Sequence, residues 1–411
     1  MSSRNLHDRL DRFQNPIARP GKSPPPAGVP QHYREMALSL GGEIRSNFAG
    51  AYCLTRTVYP ADYRYGQLRL GEVSRSAAWP LSAFTLLDEP GTVDLSSLLF
   101  LDTETTGLGG VGVMAFLVGC GSLVGDGFEV RQYLMPDYSD ETAMLEDLQE
   151  EWGGDKTLVT YNGAAFDLPL LRGRLIVNRV ARDITAAGHI DLLHVARRLF
   201  RRRLSNCTLA NVERELFGFH RDDDIPGHLI PSVYFDWLSD QNLDMMADVL
   251  EHNRFDVLSL CFLAAHLARV FLTDGESLSE VEDIHSLARV FGRRKNNERV
   301  NTLYRRIDHL ENGPLPDDVV LYHSLAFKRA GDLTEAVGLW LELSQSSSKE
   351  SYWANLELAK FFEHKAKDFA RAFHHAKLAE RLSPYGRSHA PGLRRRLRRI
   401  SSKLTRSQDF S

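Results

Sequence analysis

The stretch Leu98-Leu99-Phe100-Leu101-Asp102-Thr103-Glu104-Thr105-Thr106-Gly107 decides how this chain is read. Four apolar residues in a row fit a strand buried on both faces. They end at two acids separated by a single residue. Side chains at i and i+2 of a strand share a face, so Asp102 and Glu104 point the same way. They do so at the strand's C-terminal end, where open α/β sheets place ligands. Two neighbouring anions repel unless a cation comes between them.

Outward from this stretch, Ala115–Cys120 and Phe128–Met135 read as two more strands, close enough to complete an antiparallel meander. Met144, Leu145, Leu148 and Trp152 have helical spacing behind a Ser139 or Asp140 cap. Thr157–Tyr161 is a fourth strand, and Pro169 fits the first turn of a helix toward Ile176. His189–Leu192 is a fifth strand, followed by helical segments through Phe217 and a long amphipathic helix over Met245–Phe271. This alternation predicts an α/β layered domain over residues 96–273.

Two further acids stand in informative places. Asp167, in Tyr161-Asn162-Gly163-Ala164-Ala165-Phe166-Asp167, follows a strand and opens a helix. Taken alone it reads equally as a helix N-cap. Asp256, in His252-Asn253-Arg254-Phe255-Asp256, shares a helix face with His252. Together, Asp102, Glu104, Asp167 and Asp256 have the order and setting needed to hold two hard divalent cations, Mg²⁺ or Mn²⁺, through oxygen. Two such ions roughly 3.5–4 Å apart activate a water and stabilise a leaving 3′ oxygen in attack on phosphorus. His252 is the candidate to position or deprotonate that water, its ordinary pKa being about 6.5. Thr105, Asn162, Phe166 and Asn253 flank the acids as candidate substrate contacts, Phe166 through base stacking.

The order Asp-x-Glu, Asn-x-x-x-Phe-Asp and His-Asn-x-x-Asp resembles the DEDD exonuclease branch of the ribonuclease-H-like superfamily. In more detail the chain is similar to the bacterial YprB-like ribonuclease-H-like domain. The likeness runs through LDTETTGL, Gly109-Gly110, Ala115-Phe116-Leu117-Val118-Gly119 and Val130-Arg131-Gln132-Tyr133-Leu134. It continues through Tyr161-Asn162-Gly163, Arg221 to Ile225-Pro226-Gly227, Ile230-Pro231 and Asp256-Val257-Leu258-Ser259-Leu260. The resemblance implies a mixed five-stranded sheet flanked by helices, with Asp102, Glu104, Asp167 and Asp256 as metal ligands. It implies a metal-dependent nuclease, and the leading expectation is a two-metal-ion 3′–5′ exonuclease acting on a single-stranded or frayed nucleic-acid end, DNA or RNA. Histidine-type enzymes of this branch place the histidine five residues before the last aspartate; His252 lies four before Asp256, the spacing of the tyrosine-type enzymes. A binding scaffold and a structure-selective endonuclease are the competing readings.

The remaining sequence sets the frame. The 411 residues, 43% apolar and 25% charged, are ordinary for a globular chain of two or three domains. No uninterrupted apolar run approaches the roughly 18 residues of a membrane span. The N-terminal Arg4, Asp8, Arg9, Asp11 and Arg12 leave no apolar leader, so a cytoplasmic protein with no membrane partner is expected. Cys53, Cys120, Cys207 and Cys261 form no CxxC pair and read as reduced thiols. Residues 1–30 hold six of the 17 prolines and read as a disordered arm, and 31–95 as an extension packed on the nuclease domain. Residues 274–314 read as a helical connector. In 315–384, Leu325-Ala326…Gly331-Asp332-Leu333…Ala336 is echoed by Leu358-Ala359…Lys367-Asp368-Phe369…Ala372. The 36-residue offset is close to the tetratricopeptide period, so tetratricopeptide-like helices with a protein partner are expected, an ordinary bundle being the alternative.

Charge is unevenly spread. The net charge is −4, yet residues 385–411 carry eight Arg/Lys and one acid and read as a disordered basic tail. Arg197, Arg198, Arg201, Arg202 and Arg203 form a second basic block with the potential to follow phosphates. Gly107 to Gly112 fits GxGxxG but precedes a strand, so it reads as a hairpin. Asp191 reads as a helix cap or outer acid, and Arg221-Asp222-Asp223-Asp224 as a cleft rim or solvated loop.

Overall fold

The computed structural model describes residues 28–73, 78–85, 90–107, 112–153, 156–180, 184, 188–310, 313–384 and 391–408. Most of the proline-rich arm, Gly109-Gly110 and residues 385–390 lie outside them. The chain divides into two compact units between Thr273 and Asp274.

The first unit is built on a seven-stranded sheet. Its strands are β1 (Glu43–Asn47), β2 (Gly50–Tyr59), β3 (Leu98–Thr105), β4 (Ala115–Val124), β5 (Gly127–Leu134), β6 (Thr157–Thr160) and β7 (Gly188–Asp191). Their spatial order is β1-β2-β5-β4-β3-β6-β7. The β1–β5 half is antiparallel, and β3, β6 and β7 run parallel. Helices α1 (Gln31–Ser39), α2 (Glu141–Leu148), α3 (Asp167–Val177), α4 (Leu192–Phe200), α5 (Leu209–Phe217), α6 (Ile230–Asp240) and α7 (Met246–Leu272) flank it. The fold is therefore the mixed α/β sheet expected, with two strands more than five. The extra pair comes from the segment read as a packed extension: Cys53–Tyr59 of β2 pairs with Phe128–Leu134 of β5. That pairing covers a sheet edge that would otherwise present unpaired backbone groups.

Helix α7 lies against the middle of the sheet, and two glycines of β4 allow it. A Cβ on Gly119 would stand 2.4 Å from Asn253 Oδ1, and one on Gly121 would stand 2.5 Å from Val257. By length and composition α7 would suffice to cross a bilayer although it holds no uninterrupted apolar run of that length, because its polar residues are spaced among apolar ones. In the structure 67% of its most apolar window is buried, as in a core helix. All four cysteines are free.

The second unit is helical: α8 (Val281–Arg293), α9 (Asn297–Leu310), α10 (Asp317–Ala330), α11 (Leu333–Ser344), α12 (Glu350–Phe361), α13 (Phe369–Leu382) and α14 (Pro391–Gln408). The repeated aspartates are helix caps: Asp332 accepts from the Glu335 amide and Asp368 from the Arg371 amide, each after a left-handed residue, Gly331 or Lys367. The expected disordered tail is corrected over 391–408. Leu393, Leu397 and Ile400 recur at one-face helical spacing and are buried in the unit's core. Arg396, Arg399 and Lys403 on the adjoining face converge on Glu363, a fully buried carboxylate, at 2.5, 2.6 and 3.1 Å.

Candidate active site

β3 passes from core to cleft. Leu98–Leu101 are buried and Asp102–Thr105 half-buried. β6 pairs with it only as far as Val159 opposite Phe100, so β3 loses its parallel neighbour two residues before Asp102. The chain turns there. Asn162 is left-handed (φ 69°), and a side chain on Gly163 would collide with Thr160 at 2.4 Å. Asp191 braces the turn. Its carboxylate accepts from the amides of Asn162 at 2.9 Å and Ala164 at 3.1 Å, while capping α4 through Leu193 at 3.1 Å. The turn delivers Asp167, first residue of α3, whose Oδ1 accepts from the Thr103 hydroxyl at 2.5 Å.

α7 supplies the opposite wall. Asn253 is fully buried; its Nδ2 donates to Asp102 Oδ2 at 2.9 Å and its Oδ1 accepts from Gln132 Nε2 at 2.9 Å. Its expected role in touching substrate is therefore corrected: it sits behind Asp102 and fixes that carboxylate. One position back and three on, His252 and Asp256 face Glu104, and ligand atoms of the three lie within 4.8 Å of one another. His252 Nδ1 donates to Asp224 Oδ1 at 2.8 Å, and its Nε2 lies 3.7 Å from Asp256 Oδ2. Arg221 closes the cluster, reaching Asp256 Oδ1 at 2.5 Å, Glu213 at 2.6 and 2.9 Å, and Asp224 at 3.5 Å.

Electrostatics follow from this crowding. Burial and the charges of Asp256, Glu104 and Asp167 hold the Asp102 carboxyl well above the usual range, against the Asn253 hydrogen bond. Burial pushes Glu104 up to about 8, with Asp256 and Asp167 adding to it and His252 opposing. Asp167 is pushed up to about 6 by burial, against its Thr103 bond. Burial disfavours charge on His252, yet the Asp224 hydrogen bond and the Asp256 and Glu104 carboxylates raise it to about 9.

Of the expected site residues, Glu104, His252 and Asp256 form one cluster. Asp102 adjoins it, and Asp167 contacts the strand at Thr103, between the two acids. Thr105 donates to the Gly107 carbonyl at 2.7 Å and so serves the hairpin, while Asn162 serves the turn through its backbone. Phe166 presents its ring to solvent, 58% exposed, beside Asp167. In the loop read as a cleft rim or a solvated loop, Arg221 and Asp224 turn toward the cluster while Asp222 and Asp223 stay exposed. Glu213 and Gln132 were not foreseen at all; only the resemblance through Arg221 and through Val130–Leu134 marked their neighbourhoods.

Comparison with known proteins places this geometry. The RNase H superfamily model matches residues 99–268, a span that takes in Asp102, Glu104, Asp167, His252 and Asp256. The chain is 36% identical over 332 residues to the "Uncharacterized protein YprB" of Bacillus subtilis (strain 168), covering 79% of each chain. The superfamily comprises nuclease-type enzymes that usually bind divalent metals. The chain carries a ribonuclease H superfamily domain over residues 99–268 and belongs to the family of YprB.

Proposed function

We propose that this protein is a two-metal-ion 3′–5′ exonuclease of the DEDD type, hydrolysing phosphodiester bonds at nucleic-acid ends. The observation that carries the reading is the convergence, at one strand end, of carboxylates from β3, α3 and α7 whose mutual repulsion a cation relieves. The donors fit hard divalent ions. Asp102 and Glu104 are half-buried and oxygen-bearing, Asp256 offers Oδ2 beside the Oδ1 that Arg221 holds, and Asp167 keeps a second oxygen beyond its Thr103 bond.

Asp102, Glu104, Asp167 and Asp256 hold Mg²⁺ or Mn²⁺ in this reading. Bound ions there supply Lewis acidity toward water and the phosphate oxygens. The chain's own residues do the rest. Asn253, itself held by Gln132, fixes Asp102. Asp191 holds the turn that presents Asp167. Phe166 stacks on the terminal base, a contact worth about 1–3 kcal/mol per base. The C-terminal helices bind a protein partner, and the protein works in the cytoplasm.

The test is a panel of end-labelled DNA and RNA oligomers with Mg²⁺ or Mn²⁺, alongside internally labelled circles. Wild-type protein should shorten linear strands from the 3′ end and spare circles. Asp102→Ala should be inactive with its fold intact. Full activity in folded Asp167→Ala would overturn the assignment, and cleaved circles would make the enzyme an endonuclease.

A further inference from the structure

We infer that His252 is a metal ligand through Nε2, oriented by Asp224, and that the ion held by Glu104 and Asp256 is a first-row transition dication such as Mn²⁺. The inference rests on the metal-dependent reading above but departs from an all-oxygen site. Three observations carry it.

The first is direction. With Nδ1 donating to Asp224 at 2.8 Å, the other ring nitrogen is the one turned toward Asp256, in the cluster that Glu104 completes. A carboxylate behind a histidine, fixing its tautomer and ring angle, is the usual support of a metal-bound imidazole. The second is distance. His252 Nε2 and Asp256 Oδ2 are 3.7 Å apart. Two donors each about 2.1 Å from a shared ion are at most ~4.2 Å apart, so the spacing suits a common ion. The third is helical register. Asp256 lies four positions after His252, which places both on one face of α7, directed at Glu104. Asp224 is in turn steadied by Arg221, which also keeps Asp256 Oδ1 occupied and leaves Oδ2 on the histidine side.

Imidazole suits first-row ions such as Fe²⁺, Ni²⁺ and Zn²⁺, and the affinity of a mixed nitrogen and oxygen site rises along that series from Mn²⁺, whereas Mg²⁺ keeps to oxygen ligands. Asp224 is thus a positioning residue, and His252 sets which ion the site prefers.

The test uses the full chain, titrated with Mn²⁺ and separately with Mg²⁺. Pulsed electron paramagnetic resonance on the Mn²⁺-loaded protein reports a directly bound nitrogen. Wild type should show that ¹⁴N coupling. His252→Gln, with an unchanged circular-dichroism spectrum, should lose the coupling and at least 10-fold in Mn²⁺ affinity, while Mg²⁺ affinity changes by less than about 3-fold. Asp224→Ala should weaken Mn²⁺ binding by about 10- to 100-fold. Asp224→Asn keeps an acceptor for Nδ1 and should keep the nitrogen coupling. Absence of coupling in the wild type, its persistence in His252→Gln, or equal losses of Mg²⁺ and Mn²⁺ would overturn the inference. Failure of the nuclease reading shows separately, as nitrogen-coupled Mn²⁺ binding with no oligonucleotide cleaved.

Discussion

Arg221→Ala is the most informative single change in the first unit. The Arg221 and Glu213 side chains are only 6% and 1% exposed. Two hydrogen bonds at 2.6 and 2.9 Å join them, and the same guanidinium reaches Asp256 at 2.5 Å. Burial already pushes the Glu213 carboxyl up, and Arg221, more than the Ser259 hydroxyl, opposes it. Truncating the arginine leaves Glu213 to bury an unpaired charge or take up a proton, and frees Asp256 beside Asp102 and Glu104. Removing one partner of a buried pair costs about 3–5 kcal/mol, which in a unit of this size lowers the melting temperature by roughly 6–10 °C. The pairing Arg221→Met with Glu213→Leu removes both charges together and should recover at least half of that loss. The assay is denaturant-dependent hydrogen exchange read by mass spectrometry on peptides from α5 and α7. It assigns the loss to this unit even if the two units unfold separately. A loss below about 1 kcal/mol, or a double variant no more stable than Arg221→Ala, would show that the buried ion pair does not brace the site.

Other expectations follow from particular contacts. In metal-free protein, Glu104 has its folded pKa raised to about 8 from 4.5, so its contribution is fully present below pH 4.5 and lost as pH rises through 8. Melting temperatures in chelator should fall across that window, and Mn²⁺ should restore them; a flat profile would contradict the burial argument. Burial alone would raise Glu363, yet hydrogen bonds from Arg399 and Lys403 and the charge of Arg396 hold it down to about 2. That stabilisation, at most about 3 kcal/mol, is present above pH 4.5 and lost as pH falls toward 2, and Glu363→Gln should remove this pH dependence from the second unit's unfolding. Gly119→Ala would drive a methyl against Asn253 and should cost about 1–3 kcal/mol in denaturation. It should also weaken Mn²⁺ binding by displacing Asp102, and an unperturbed variant would mean that α7 has slack against β4.

Local periodicity made much of the site legible. The alternation of a strand put Asp102 and Glu104 on one side, and the turn of a helix put His252 and Asp256 on one face, with no tertiary information needed. What sequence reading missed depends on contacts distant in the chain. β2 joins the sheet by pairing with β5 more than 70 residues on, as in Thr55 opposite Gln132. Asp222 and Asp223 are exposed, as in a solvated loop, but Arg221 and Asp224 at its ends look free in the sequence because their partners, Glu213 and His252, lie on separate helices. Asn253 looks available because Gly119 gives no sign that α7 lies almost on the strand. In residues 391–408 the arginines drew attention away from Leu393, Leu397 and Ile400, whose spacing already marked a buried stripe.

The dual duty of α7 restricts how this protein can change over time. The same 27 residues fill the core and carry His252 and Asp256. An α-helix advances about 100° per residue. Inserting or deleting one residue between His252 and Val257 would swing one side of the join away by that angle, and either the apolar stripe or the two proposed ligands would face the wrong neighbour. Relatives that keep this site should therefore show length variation in the loops before Met246 and after Leu272, and a constant residue count within this segment of the helix.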